Sequence, residues 1–404
     1  MTEPTLTPEA GPVPAEPRFT PLRGIHESLG AAFTDFGGWQ MPVRYASDLA
    51  EHHAVRQAAG LFDISHMAEF LVTGPGAGEF LDYALAGCLS TMAVGKAKYS
   101  LLLDDDGGII DDVIVYCLGA DWFLVIANAG NREAVAEAFA ARAPRAPIAA
   151  SFHGAPTEGV HTFGLVAGAD VARIEDVSDA CSLIAVQGPR AREIVAATAG
   201  VDTSGLDELG YYAALQSTFD GEPLLIARTG YTGEDGYELL VGNARAAELW
   251  EALTVAGEPL GLVPAGLAAR DTLRLEAGMP LYGHELSRDI VPAQAGLGRV
   301  VALDKADFVG QAALATGTEP GAPVLVGLVS EGRRAGRAGY GVLHGDEVVG
   351  EVTSGALSPT LGYPIAMAFV SPSAAAEGTV LSIDVRGTRV PATVTALPFY
   401  RRKK

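Results

Sequence analysis

The sequence predicts an α+β protein that ends in a β-rich domain, and three observations predict it. The order strand, Gly-Pro, helix occurs twice, at 68–87 and at 182–200. The stretch 97–131 reads as three antiparallel strands joined by two turns. From 301 onward, short apolar strands follow one another with Gly-rich turns, as in a small barrel or sandwich. At 404 residues the chain also exceeds one ordinary core, so two or three domains are expected.

Taken in order, the opening "MTEPTLTPEAGPVPAEPRF" has neither the basic start nor the apolar core of a secretory signal. Its Pro, Glu, Thr and Ala content predicts a disordered tail over 1–18. "EHHAVR" (51–56) reads as a solvated helix face. "AEFLVTG" (68–74) is a strand, and "GAGEFLDYALAG" (76–87) has helical spacing at Phe80, Leu81, Ala84 and Leu85. Pro75 suits a first helical turn, where its missing N–H would be unpaired anyway. "SLIAVQGPRAREIVAATAG" (182–200) repeats this grammar.

In 97–131, Asp106-Gly107 is a hairpin signal between period-2 segments. "ARTGYTGEDGYELLV" (227–241) crowds Arg228, Tyr231, Glu234 and Glu238 around Gly-rich turns, the kind of loop that contacts ligands. "PAGLAARDTLRLEAGMPLYGHEL" (264–286) is a helix with Arg270 and Arg274 at i,i+4 spacing and Glu276 beyond. The expected domains are therefore 19–300, built from interleaved α+β units, and 301–404.

Composition narrows the function classes. A net charge of −21 argues against nucleic-acid binding. No run approaches the ~18 apolar residues that span a bilayer. Cys88, Cys117 and Cys181 lie far apart beside apolar neighbours, which suggests free thiols in a reducing cytoplasm. No metal site is evident: "DDDGGIIDDVIV" lacks the Gly and Glu positions of a calcium loop, and no H-E-x-x-H occurs. "GPGAGEF" (74–80) lacks G-x-G-x-x-G spacing and reads as a turn.

Two acids, Asp111 and Asp112, open the apolar run that follows that turn. Period 2 puts Asp112, Ile114 and Tyr116 on one face, shared with Tyr99 and Leu101 in one register. A carboxylate there needs a cationic or hydrogen-bonding partner. Spacing alone leaves open both an acidic turn and a working carboxylate.

Seven blocks in collinear order resemble the glycine cleavage system T-protein family: "FGGWQMP" (36–42), "LFDISHM" (61–67), "GGIIDDVIVY" (107–116), "LIAVQGP" (183–189), "RTGYTGEDGYE" (228–238), "GLAARDTLRLEAGMPLYGHE" (266–285) and "GEVTSGALSPTLGYPIAMAFV" (350–370). The resemblance implies a three-domain cloverleaf of mixed antiparallel sheets and helices with a C-terminal β-barrel. It implies an aminomethyltransferase that takes an aminomethyl group from the lipoylated H-protein. Tetrahydrofolate is the co-substrate, and ammonia and 5,10-methylenetetrahydrofolate are the products. The glycine decarboxylase and dihydrolipoyl dehydrogenase components are the functional partners. Carried over by position, Asp112 is catalytic. Glu238 grips the pterin, and Arg270 contacts folate. Tyr99, Tyr116, Asn128 and Tyr231 flank the rings, Met67 and Leu71 form apolar wall, and Arg401 or Arg402 is a tail candidate on the folate side. Arg333, Arg334 and Arg337 are candidates for docking an acidic H-protein. Two other readings share the scaffold. One is a folate-binding iron–sulfur assembly factor, whose marker motif carries a Cys absent from "RTGYTGEDGYE". The other is a different folate-dependent C1 transferase or demethylase.

Overall fold

A computed structural model describes residues 16–155 and 171–402. Helix α1 (Arg23–Ser28), the hairpin β1 (Ala32–Phe36)–β2 (Trp39–Arg44) and helix α2 (Asp48–Gln57) lead into two units of the same order. The first is β3 (Ala59–Asp63), β4 (Ala68–Thr73), α3 (Ala77–Ala84), β5 (Ala97–Leu103), β6 (Ile109–Gly119), β7 (Trp122–Ala127), α4 (Arg132–Arg142) and β8 (Ala150–Phe152). The second is β9 (Ala172–Asp176), β10 (Cys181–Gln187), α5 (Ala191–Ala197), β11 (Ala214–Phe219), β12 (Glu222–Ala227), β13 (Gly236–Gly242), α6 (Ala246–Gly257) and β14 (Leu262–Pro264).

Each unit lends its first strand to the other. The two six-stranded sheets run β5-β6-β7-β4-β9-β8 and β11-β12-β13-β10-β3-β14. An Asp-x-Ser step makes each exchange. The Ser65 N–H bonds Asp63 Oδ1 at 2.9 Å and the Ser178 N–H bonds Asp176 Oδ1 at 3.0 Å. Each serine hydroxyl then receives a backbone N–H of the other unit, Leu183 at 3.1 Å and Glu69 at 2.9 Å. The sequence reading had matched the two units only at their Gly-Pro steps. At the second of these, Gly188 has φ +138°, and a Cβ there would stand 2.5 Å from the Ala58 carbonyl oxygen. Only glycine fits.

Each sheet packs its outer face on its own helices. Phe139 of α4 meets Phe70 and Phe80 edge-on at 5.5 and 5.9 Å in the first unit, and Trp250 of α6 is buried in the second. Burying a side chain of this size contributes about 1.5–3 kcal/mol. The inner faces meet in a third cluster that includes Leu71, Tyr116, Ile126, Leu183 and Leu240.

Helix α7 (Leu267–Glu276) follows, then α8 (Gln311–Ala315), whose Leu314 covers the hairpin turn at Gly107. Strands β15 (Val324–Ser330), β16 (Gly341–His344), β17 (Glu347–Leu357), β18 (Pro364–Val370), β19 (Val380–Val385) and β20 (Thr388–Thr395) close a barrel in the order β15-β18-β17-β16-β19-β20. The barrel's first strand opens at Val324, so 301–323 precede it as connecting chain. Residues 1–15 of the expected tail lie outside the described residues, and at Arg18 the backbone already bonds Gly38 and Gln40.

The 51–56 stretch is not a solvated face. Glu51 and His52 are buried because they have distant partners. Glu51 accepts the N–H groups of Tyr45 and Gly266, and His52 sits between Thr272 and Thr360. Arg56 reaches Glu276 at 2.7 Å and Glu234 at 2.9 Å. Glu276 also accepts Ser358 and Thr360, which ties the barrel to α2 and α7. The C-terminal tail returns here, its Tyr400 N–H bonding the Glu276 carbonyl.

Candidate active site

The hairpin register decides what Asp112 can do. Leu101 lies opposite Asp112, Tyr99 opposite Ile114 and Ala97 opposite Tyr116, so these residues share the inner face of the first sheet. Asp112 accepts the Tyr99 hydroxyl at 3.0 Å and Asn128 Nδ2 at 2.8 Å. Asn128, just past β7, also gives Nδ2 to Asp111 Oδ1 at 2.8 Å and thereby straddles both acids. Asp111 turns to the other face and is fully buried. It accepts the Asn128 N–H at 2.9 Å and Asn131 Nδ2 at 2.6 Å.

Burial raises the pKa of both carboxyls. For Asp111 burial, then the Asp112 charge, carry it to about 8 against the opposing bonds from Asn131 and Asn128. Burial likewise raises Asp112, and the bonds from Tyr99 and Asn128 pull back. Burial and the nearby Asp112 hold the Tyr99 phenol well above its ordinary range, so it remains a donor.

The second sheet supplies the opposite wall. Glu238 on β13 is paired between Ala185 and Ala227 and accepts the hydroxyls of Thr229 and, at 3.4 Å, Tyr116. Tyr116 and Thr229 bond each other at 3.0 Å. Arg270 on α7 places its guanidinium 4.9 Å from the Tyr231 ring, and its Nη1 is buried without a partner among the described residues. The Tyr231 hydroxyl donates to the Pro280 carbonyl and so fixes the 279–282 segment as a third wall.

These surfaces enclose a cavity of about 340 Å³, within the usual size for a small-molecule site. Asp112, Glu238, Arg270, Tyr231, Tyr99, Tyr116, Asn128 and Met67 all line it. Leu71 does not: it packs between the sheets beside Tyr116 and Ile126, behind the wall. Arg401 is exposed and outside the lining. Its neighbour Arg402 pairs with Asp235 at 3.2 Å and lies over the Tyr211 ring. The lining also includes Phe36, His66, Tyr212, Leu281 and Tyr282, which the sequence reading did not nominate. Phe36, His66, Leu281 and Tyr282 lie inside the blocks that resemble the family, but no spacing rule marks them.

The site combines an anionic face (Asp112, Glu238), one cationic group with a free N–H (Arg270) and aromatic walls. Such a cavity suits a flat heterocycle with donor and acceptor edges, and a carboxylate placed to stabilise positive charge.

Two family models cover most of the chain, the GCVT N-terminal domain at residues 22–305 and the glycine cleavage T-protein C-terminal barrel domain at 324–401. An aminomethyltransferase of Cutibacterium acnes is 54% identical over 391 residues, 95% of this chain and 99% of that relative. One from Streptomyces avermitilis is 54% identical over 394 residues, 96% and 99% of the two chains. The crystal structure of the glycine cleavage system aminomethyltransferase T from Bartonella henselae superposes with a TM-score of 0.82 at 34% identity, covering 96% of this chain and 99% of that one.

Proposed function

The chain belongs to the glycine cleavage T-protein family, and from that premise we propose its reaction and its working residues. It is an aminomethyltransferase of the glycine cleavage system. It moves the methylene of an aminomethyl group, carried by the lipoylated H-protein, to tetrahydrofolate and releases ammonia. The product is 5,10-methylenetetrahydrofolate. One observation carries the reading: one cavity gathers Asp112, Glu238 and Arg270 from three elements distant in sequence.

Tetrahydrofolate supplies two nitrogens that one carbon can bridge. The chain's residues do the rest. Glu238, oriented by Thr229 and Tyr116, presents a carboxylate to the donor-rich amino-pyrimidinone edge, where bidentate geometry is strong. Arg270 offers its unpartnered Nη1 to an acceptor. Asp112, steered by Tyr99 and Asn128, faces the positive charge that develops as the methylene changes partners. A fixed carboxylate in a cavity that excludes most water stabilises that charge more than water would. It also accepts a proton from the attacking nitrogen.

The lipoylated H-protein, with the glycine decarboxylase and dihydrolipoyl dehydrogenase components, completes the proposed setting. Arg333, Arg334 and Arg337 on the barrel side are the proposed local basic contacts. The proposal includes a cytoplasmic location, supported by three unpaired cysteines. Among the described residues, no helix is long and apolar enough to cross a membrane. The test is incubation with aminomethylated H-protein and tetrahydrofolate, following ammonia and methylenetetrahydrofolate. Stoichiometric formation of both supports the reaction, and no product above background overturns it.

A further inference from the structure

His66 lines the same cavity and none of the interactions above uses it. Its ring is 3% exposed and is held edge-on by Phe36, with centroids 5.4 Å apart at 88°. Its Nδ1 is covered and meets no donor or acceptor among the described residues. Asp63, the carboxylate whose charge acts on it, is already engaged. It accepts Thr20 Oγ1 at 2.5 Å, pairs with His26 Nε2 at 2.9 Å and accepts the Ser65 N–H at 2.9 Å. Burial, reinforced by the Arg270 charge and opposed by Asp63, lowers the His66 pKa to about 4. The imidazole is therefore neutral and carries one N–H.

Which nitrogen holds that hydrogen follows from the packing. A hydrogen on the covered Nδ1 would bury a donor with no acceptor, a costly arrangement that folded proteins rarely keep. A covered lone pair is tolerated better. The hydrogen belongs on Nε2, on the ring edge left to face the cavity.

We infer that His66 is a ligand-contacting residue, presenting a neutral Nε2–H to an uncharged acceptor of the bound co-substrate, a ring or amide carbonyl oxygen. The inference rests on the reading of the cavity as the tetrahydrofolate site. Within it, His66 complements Arg270: one donor is neutral, the other charged, and each buries a nitrogen without a protein partner.

Calorimetric binding of tetrahydrofolate to the full chain, His66→Gln and His66→Phe tests this, with thermal melts run beside each. Glutamine keeps an N–H near the position of Nε2, and phenylalanine keeps the ring without it. H66F should bind about tenfold more weakly and H66Q within about threefold of wild type. An H66F variant that melts and binds like wild type overturns the inference alone, whereas a wild-type chain that binds no tetrahydrofolate overturns the parent reading with it. Should H66F not fold, ¹⁵N spectra of the ligand-free wild type decide: a protonated Nε2 supports the assignment, and a protonated Nδ1 overturns it.

Discussion

Replacing Asp112 with asparagine removes one negative charge and leaves the side chain's shape. The carboxylate accepts two donors, the Tyr99 hydroxyl at 3.0 Å and Asn128 Nδ2 at 2.8 Å. An amide can accept Asn128 Nδ2 through its oxygen while the Tyr99 hydroxyl turns to accept its NH₂, so both contacts persist but lose their charge assistance. The exchange costs about 1–3 kcal/mol of stability, so the fold should survive in a chain of this size. The loss in rate should be larger. A preorganised group that stabilises charge in a water-poor site is worth about 3–4 kcal/mol, or about 10²–10³ in turnover. With aminomethylated H-protein and saturating tetrahydrofolate, D112N should therefore lose about 10²–10³ in kcat while its tetrahydrofolate affinity stays within about threefold. A folded D112N that turns over within about threefold of wild type would refute the reasoning, because the charge would then contribute nothing at the transition state.

Other substitutions probe the remaining groups. Glu238→Gln removes a charge-assisted bond of about 1.5–3 kcal/mol, so tetrahydrofolate should bind about 10- to 100-fold more weakly by calorimetry with kcat nearly unchanged at saturation; equal affinity would exclude the clamp. Asp111 and Asp112 titrate as a buried pair, and burial raises both, so turnover that depends on an ionised Asp112 should rise from acid toward neutral pH. Asp111, held at about 8 in part by the Asp112 charge, is still protonated while Asp112 ionises, so Asp111→Asn should leave the acid limb of the kcat profile in place; a limb that moves to lower pH would show that Asp111 ionises first. Burial pushes Glu276 up, but His52, Ser358 and Arg56 more than offset it and bring its pKa down from 4.5 to about 2. That depression contributes stability present above the unfolded value and lost as pH falls from about 4.5 toward about 2, on the order of 3 kcal/mol in full. Denaturant titrations at pH 7 and pH 3 should show a smaller loss for Glu276→Gln than for wild type, and equal losses would remove Glu276 as the acid-sensitive latch.

Much of the site was legible because its signals are local. The Asp106-Gly107 turn and period-2 alternation confined Asp112 to one face and named Tyr99, Leu101, Ile114 and Tyr116 as its companions in one register. The observed ladder adopts that register. The Gly-Pro steps marked both strand-to-helix turns for an equally local reason, since a positive φ and a missing N–H are properties of single residues. The family resemblance supplied Glu238, Arg270 and Asn128, which periodicity could not have joined.

What failed had long-range causes. "EHHAVR" reads as polar, and nothing within six residues announces Thr360, 308 residues from His52, or Glu276, 220 residues from Arg56. Leu71 and Met67 both read as apolar wall and both pack in the cluster between the sheets, yet Met67, just before β4, reaches the cavity and Leu71, four residues further along, does not. Arg401 and Arg402 are adjacent in sequence, and the partner Asp235 selects the second. His66 became visible only when the packing left its Nδ1 without a partner.

By itself, then, the sequence determined most strands and turns, the α+β class with a β-rich close that could be barrel or sandwich, and a short set of candidate acids, whereas of the helix read over 264–286 only Leu267–Glu276 forms. The tertiary structure decided the exchange of β3 and β9 between the sheets, the burial of charges beside distant partners, and the grouping of Asp112, Glu238 and Arg270 around one cavity. The division is physical. Backbone propensity and alternation act over a few residues, whereas burying a charge or aiming a carboxylate requires partners that only chain closure brings within hydrogen-bond reach.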